Sequence, residues 1–124
     1  GVLHLAGSIQ DGTLRSLQRR DFEAVFGPKV HGLQKLQAAL VSGGHWQHLD
    51  FVLGFSSTAA VLGAAGQANY AAANACLDAL MHKYRLQGSK ATSLQWGAWD
   101  IGMAARKESF KLLSQRGITA DLGL

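Results

Sequence analysis

Cysteine is almost missing from these 124 residues: Cys76 stands alone, which excludes an internal disulfide and suits a reducing compartment. Proline is as scarce, with Pro28 the single one, so turns fall to the 15 glycines. Charge is thin, at 16% of residues against 48% hydrophobic, which excludes the charge-rich composition of a disordered chain. No apolar run approaches the roughly 20 residues that span a bilayer, so no membrane role is expected. Acidic residues number 8 against 12 lysines and arginines, a net charge of +4. That excess does not form the long, aromatic-interleaved stripe a nucleic-acid surface needs. The densest cluster, Arg15, Arg19 and Arg20, reads as a solvated approach to a helix.

What is present alternates between apolar runs and helical spacing. Gly1 to Ala6 is expected to be a buried strand ended by Gly7. The opening has no initiator Met and no basic n-region, so it is not a signal peptide; it reads as a chain cut within a strand. From Asp21 to Leu40, Phe22, Val25, Phe26, Val30, Leu33, Leu36 and Leu40 keep helical spacing, with Asp21 in the first turn and a kink at Pro28. Leu49 to Phe55 predicts a second strand. Gln67 to Leu86 predicts a long helix closed by Gly88 at C′, and Thr92 to Trp96 a third strand. An amphipathic stretch from Arg106 to Leu113 follows. The order β-α-β-α-β predicts a parallel sheet with helices on both faces, within at most one domain.

In open α/β sheets, ligands lie beyond the carboxyl ends of the strands. Here those ends read Ala6-Gly7, Ser56-Ser57 and Trp96-Gly97-Ala98-Trp99. Small residues there let a ligand approach the backbone, although each could be ordinary turn punctuation. Ser57 is followed 13 residues later by Tyr70, with Asn74 one helical turn beyond, on the same face. A phenol titrates near pH 10, and a neighbouring ammonium poises it for proton transfer. Lys29, directly after Pro28, can supply that ammonium. Protonating a carbonyl oxygen while hydride reaches the carbon uses such a set. The spacing alone leaves a second reading open, a core tyrosine with its hydroxyl satisfied. Cys76 reads as a small core residue, and His45 and His48 as loop residues, with no metal site expected. Gly88-Ser89-Lys90 lacks the spacing of a phosphate loop. Trp46, Trp96 and Trp99 read as packing residues, with Trp99 able to flank a substrate entrance.

The stretch Gly54 to Asn74, GFSSTAAVLGAAGQANYAAAN, resembles the active-site segment of short-chain dehydrogenase/reductases. The position four after the tyrosine, lysine in the classical members, is Asn74 here, and Lys29 stands in a Pro-Lys-Val segment instead. That exchange resembles the ketoreductase domains of type I modular polyketide synthases and animal-type fatty acid synthases. So do the opening His4 to Gly7, HLAG, and Leu94 to Ala104, LQWGAWDIGMA. The resemblance implies the C-terminal half of a Rossmann-like fold and an NADPH-dependent reduction of a β-ketoacyl group on an acyl carrier protein. It gives Tyr70 the role of proton donor and Ser57 a hydrogen bond to the ketone oxygen. Lys29 would lower the tyrosine pKa and hold the cofactor ribose or a relay water, and Asn74 would orient Lys29 or that relay. Ala6, Gly7, Trp96 and Gly97 would line the cofactor cleft.

Two departures qualify the pattern. Ketoreductases of one stereochemical type carry Leu-Asp-Asp where this chain has Ile9-Gln10-Asp11; only Asp11 matches. The opposite type has tryptophan at Leu62. Asn69 fits the first type, without the proline that usually accompanies it, which is Ala65 here. The chain is therefore read as the Leu-Asp-Asp type. Second, no Gly-x-Gly-x-x-Gly follows a strand, so nothing here would hold a pyrophosphate. Residues 1–124 are accordingly expected to be the catalytic half of one domain, inactive alone, its dinucleotide-binding half lying outside this chain. Expected partners are that half, neighbouring synthase domains and the carrier protein, in the cytoplasm. Two alternatives are a non-catalytic structural element of a megasynthase and a free-standing ketone reductase.

Overall fold

The computed structural model describes residues 1–97. Three parallel strands form one sheet in the order β1 (Val2–His4), β2 (Val52–Ser57), β3 (Ala91–Trp96). Val2 and His4 pair with Val52 and Gly54, and Val52 and Ser57 pair with Ala91 and Trp96, so the carboxyl ends share one edge. Between them run α1 (Arg19–Phe26), a π-helical turn (Gly27–His31), α2 (Gly32–Ser42), a 3-10 turn (Trp46–His48), α3 (Ala59–Leu62) and α4 (Ala68–Leu86).

Alternation along β2 organises the packing. Val52, Gly54 and Ser56 are buried, whereas Leu53, Phe55 and Ser57 are half-buried. α4 lies on the buried side, close enough that a Cβ at Gly54 would meet Met81 Cε at 2.6 Å and Leu77 Cδ1 at 3.2 Å. Leu33, Trp46, Val52, Leu77, Met81, Tyr84 and Ala91 form the main core. Trp46 packs edge-on against Tyr84 and donates its indole N–H to Ser89 Oγ at 2.8 Å. A second cluster, Val25, Val30 and Ala73, joins the first helical segment to α4 and takes in Tyr70 and Cys76.

Element ends follow local chemistry. The Asp21 carboxylate accepts the Gln18 N–H at 2.8 Å, capping α1, which starts two residues before Asp21. At the other end of α4, Gly88 (φ +89°) sends its N–H to Arg85 O and Ser89 sends its own to Tyr84 O, the Schellman pattern expected of glycine at C′. The second strand begins at Val52 rather than Leu49, since its ladders to β1 and to β3 both start there. Leu36, on the expected apolar stripe, is 38% exposed.

Pro28 produces a π turn. Without its N–H it cannot bond Ala24 O, and that carbonyl instead accepts the Ser8 hydroxyl at 2.6 Å. Gly32 N–H then reaches back five residues to Gly27 O.

Both crossovers lie on the same side of the sheet. Right-handed connections between strands laid down in one direction must do this. The second helical layer expected on the other face is therefore not contributed by residues 1–97. That face carries Leu3, 56% exposed, and Trp96, 39% exposed, with the Trp96 and Phe55 rings stacked at 5.7 Å.

Candidate active site

The π turn delivers Lys29 inward. Its carbonyl accepts a hydrogen bond from His4 Nε2–H at 2.7 Å, which fixes the histidine tautomer and ties the turn to β1. Its side chain is 3% exposed, and Nζ donates to Phe55 O at 2.8 Å, near the carboxyl end of β2. The same ammonium lies 5.9 Å from the centroid of the Tyr70 ring. Burial holds the Lys29 ammonium below the usual lysine range, and the Asp78 carboxylate pulls it part of the way back.

Tyr70 occupies the first turn of α4, where backbone N–H groups have no partner within the helix. Its N–H is taken up by Asn69 Oδ1 at 2.8 Å. One turn on, Asn74 is fully buried and donates Nδ2–H to Tyr70 O at 2.9 Å. Its Oδ1 is buried without a partner among the described residues. Ser56 Oγ donates to Asn74 O at 3.4 Å. Ser57 ends β2, two residues beyond the carbonyl that holds Lys29, and its Oγ accepts the Ala59 N–H at 3.2 Å. An oxygen engaged as an acceptor leaves its own proton to donate.

Around this group stand the residues expected to border a cofactor. A Cβ at Gly7 would lie 3.4 Å from Lys29 Cε and 3.5 Å from Nζ, so the chain just beyond β1 runs directly past the ammonium. A Cβ at Gly97 would meet nothing within 4 Å, and Ala6 and Trp96 are both exposed. Small residues, open space and a cation on one edge fit a ribose and a flat ring. Ala98 and Trp99, and the 106–113 stretch, lie outside the described residues.

The stereocontrol positions divide. Asp11 is exposed and its Oδ1 accepts Gln67 Nε2–H at 3.1 Å. Leu62 closes α3 and is 79% exposed. Asn69 is fully buried, donating Nδ2–H to Gln10 O at 2.8 Å and to Asp21 O at 3.2 Å. Thus Lys29, Tyr70 and Asn74 are brought together, Ser57 stands at the adjoining strand end, and Asp11 and Asn69 meet the start of α4. Sequence reasoning assigned no role to His4 or Gln67. A histidine inside an apolar strand was the available signal for the first; Gln67 offered none.

Comparison with known proteins places these features in a family. The family model described as "KR domain" matches residues 1–101. The chain is 47% identical over 104 residues, 82% of its length, to a mycocerosic acid synthase-like polyketide synthase of Mycolicibacterium smegmatis, of which it spans 5%. It is 40% identical over 131 aligned positions, 99% of its length, to the phthioceranic/hydroxyphthioceranic acid synthase of Mycobacterium tuberculosis, of which it spans 6%. Among solved structures, an A1-type ketoreductase superposes with a TM-score of 0.83 at 36% identity, over 94% of this chain and 24% of that one. The first ketoreductase of the tylosin PKS gives 0.78 at 40% identity, over 91% and 24%.

Proposed function

The chain belongs to the ketoreductase domains of polyketide synthases, which share the short-chain dehydrogenase/reductase fold, and from that premise we propose that residues 1–124 are the catalytic half of one such domain. Its reaction is the NADPH-dependent reduction of a β-ketoacyl group on an acyl carrier protein to the β-hydroxyacyl product. The enclosed Lys29 ammonium beside the Tyr70 ring is the observation that carries this reading.

Each residue then has one task. The Tyr70 hydroxyl donates its proton to the ketone oxygen, and the Ser57 hydroxyl donates a hydrogen bond to that same oxygen. Lys29 spends one of its three N–H donors on Phe55 O, which fixes Nζ in place. The positive charge, 5.9 Å from the centroid of the Tyr70 ring, favours the negative charge left on Tyr70 when its proton departs. Asn74 Oδ1, buried and unpaired among the described residues, would accept a hydrogen bond from a relay water, holding it so that its other proton passes to the tyrosinate and is replaced from solvent along the relay. Gly7 and Gly97, with Ala6 and Trp96, would line the cleft that holds the cofactor, whose chemistry when bound is delivery of a hydride to the carbonyl carbon.

The apolar outer face of the sheet supports the half-domain reading. Leu3, Phe55 and Trp96 form a surface suited to a second helical layer, and β1 pairs only with β2 among the described strands. The remainder of the domain would cover that face and supply the phosphate-binding loop. Retention of Lys29, Ser57, Tyr70 and Asn74 together speaks against a purely structural element.

The test is an assay of the complete domain with a β-ketoacyl thioester on acyl carrier protein, offered NADPH or NADH. Stoichiometric β-hydroxyacyl formation with a strong preference for NADPH is expected. Absence of turnover with both cofactors overturns the reading.

A further inference from the structure

One buried polar side chain beside the site carries out no step of the reaction. His4 ends β1 with 7% exposure, between the exposed Leu3 and Leu5. An imidazole withdrawn from water costs free energy unless it is hydrogen-bonded. A carbonyl only accepts, so Nε2 carries the proton that meets Lys29 O at 2.7 Å. The buried ring thus gives its donor to the main chain of the lysine at the centre of the site.

The two ends of Lys29 are fixed from adjacent strands. His4 pairs with Gly54 across the β1–β2 ladder, and Phe55, the next residue, supplies the carbonyl that receives Nζ at 2.8 Å. β1 therefore holds the backbone of the lysine and β2 holds its ammonium, at one level of the sheet. Further along, Gly7 passes the Lys29 stem, and the Ser8 hydroxyl donates to Ala24 O at 2.6 Å, the carbonyl that Pro28 cannot bond. Of the two hydrogen bonds that this chain sends to the helical segment, only the one from His4 is buried and ends on Lys29 itself. A π turn is rare as a local structure, and a change of register within it would rotate Lys29 to another face of the helix. The lysine stem is flexible as well, so the place of its charge depends on where its backbone is held.

We propose that His4 is a positioning residue, holding the Lys29 carbonyl from β1 so that the π turn delivers the ammonium to the strand ends beside Tyr70. This rests on the reading of Lys29 and Tyr70 as the proton-transfer pair. His4→Phe fills the space of the ring and offers Lys29 O no donor. His4→Gln places an amide N–H at about the reach of Nε2 and restores the bond. Of the titratable groups set about Lys29 among the described residues, Tyr70 and Asp78 come from α4 and His4 from β1. Neither substitution touches the two on α4.

The complete domain carrying His4→Phe or His4→Gln tests this by pH–rate profiles, steady-state kinetics and amide hydrogen exchange. In His4→Phe, exchange at residues 29–33 is expected to accelerate by about tenfold or more, with β2 and the second half of α4 unchanged. There kcat should fall by about tenfold or more, with KM for the ketone within about twofold. The alkaline limb of kcat should move up by about half a pH unit or more, because a loosened Lys29 regains water. His4→Gln should keep the limb in place, residues 29–33 protected and kcat within about threefold of the wild type. A mere loss of stability lowers the folded fraction and leaves the limb where it was. An unmoved limb in His4→Phe, or equal defects in the two variants, therefore overturns the proposal. Lys29→Met, run alongside, separates the two readings. Wild-type turnover there sinks the role of the lysine, while exchange at residues 29–33 in His4→Phe still judges whether His4 holds the turn. Should His4→Phe fail to fold, His4→Leu, smaller and as apolar as its strand neighbours, is read by the same outcomes.

Discussion

The ammonium of Lys29 lies 5.9 Å from the centroid of the Tyr70 ring, enclosed by protein and bonded to the Phe55 carbonyl. A cation over an aromatic face is attracted to it, more strongly when water is excluded. Desolvation works the other way, disfavouring the charged form. The two effects meet in one side chain, and its titration should be visible both in stability and in rate.

Stability first. The folded pKa of Lys29 is lowered from the ordinary 10.5, so between that lowered value and 10.5 the unfolded chain binds more protons. Stability contributed by this site therefore rises with pH across that window, and below it the burial cost is fully present. Lys29→Met, in the complete domain, removes the cost while preserving much of the side-chain volume. It should be more stable than the wild type near neutral pH, with the gap closing as pH approaches 10.5. Denaturant midpoints from pH 7 to 10 measure this. A gap that widens with pH contradicts it.

The rate should follow the same group. Loss of the Lys29 proton removes the charge that faces Tyr70, so the alkaline limb of kcat should fall at lower pH than an ordinary lysine would give. The Asp78 carboxylate raises the pKa of Lys29, so Asp78→Asn should move that limb further down. A pH–rate profile decides; an upward move refutes the assignment of Lys29 to the limb.

Packing between β2 and α4 admits a sharper test. Any side chain at Gly54 must displace Met81 Cε, which a Cβ would approach to 2.6 Å. Gly54→Val is expected to destabilise the domain by about 1–3 kcal/mol, and pairing it with Met81→Ala to recover part of the loss. Thermal unfolding of the single and double variants measures the coupling. Strict additivity would contradict the contact.

Much of this geometry was legible beforehand because it is local. Tyr70 and Asn74 share a helix face by spacing alone, and Gly88 closed α4 where a glycine after the last periodic residue should. The three parallel strands followed from apolar runs separated by helical ones. What remained hidden depends on groups distant in sequence. That Lys29 meets Phe55 O is set by a π turn, which a proline announces only as a disruption of the helix. That Asn69 is fully buried and joins three segments follows from backbone carbonyls at Gln10 and Asp21, and a carbonyl leaves no mark in a sequence. The placement of both crossovers on one face follows from strand order, which the apolar pattern does not encode.

The bare outer face makes its own prediction. Residues 1–124 expressed alone should bind a hydrophobic dye through the surface around Leu3 and Trp96, and should show no tight NADPH binding by calorimetry. Leu3→Lys should reduce dye binding of the isolated piece and destabilise the complete domain. Tight NADPH binding by the isolated piece contradicts the half-domain reading.

The central claim is that the Tyr70 phenol protonates the ketone under the influence of Lys29, and one variant tests it most directly. Tyr70→Phe removes a single oxygen and keeps the ring beneath the ammonium. In the complete domain it should bind NADPH with unchanged affinity and reduce a β-ketoacyl thioester about a hundredfold or more slowly than the wild type. Reduction at the wild-type rate by that variant would contradict it.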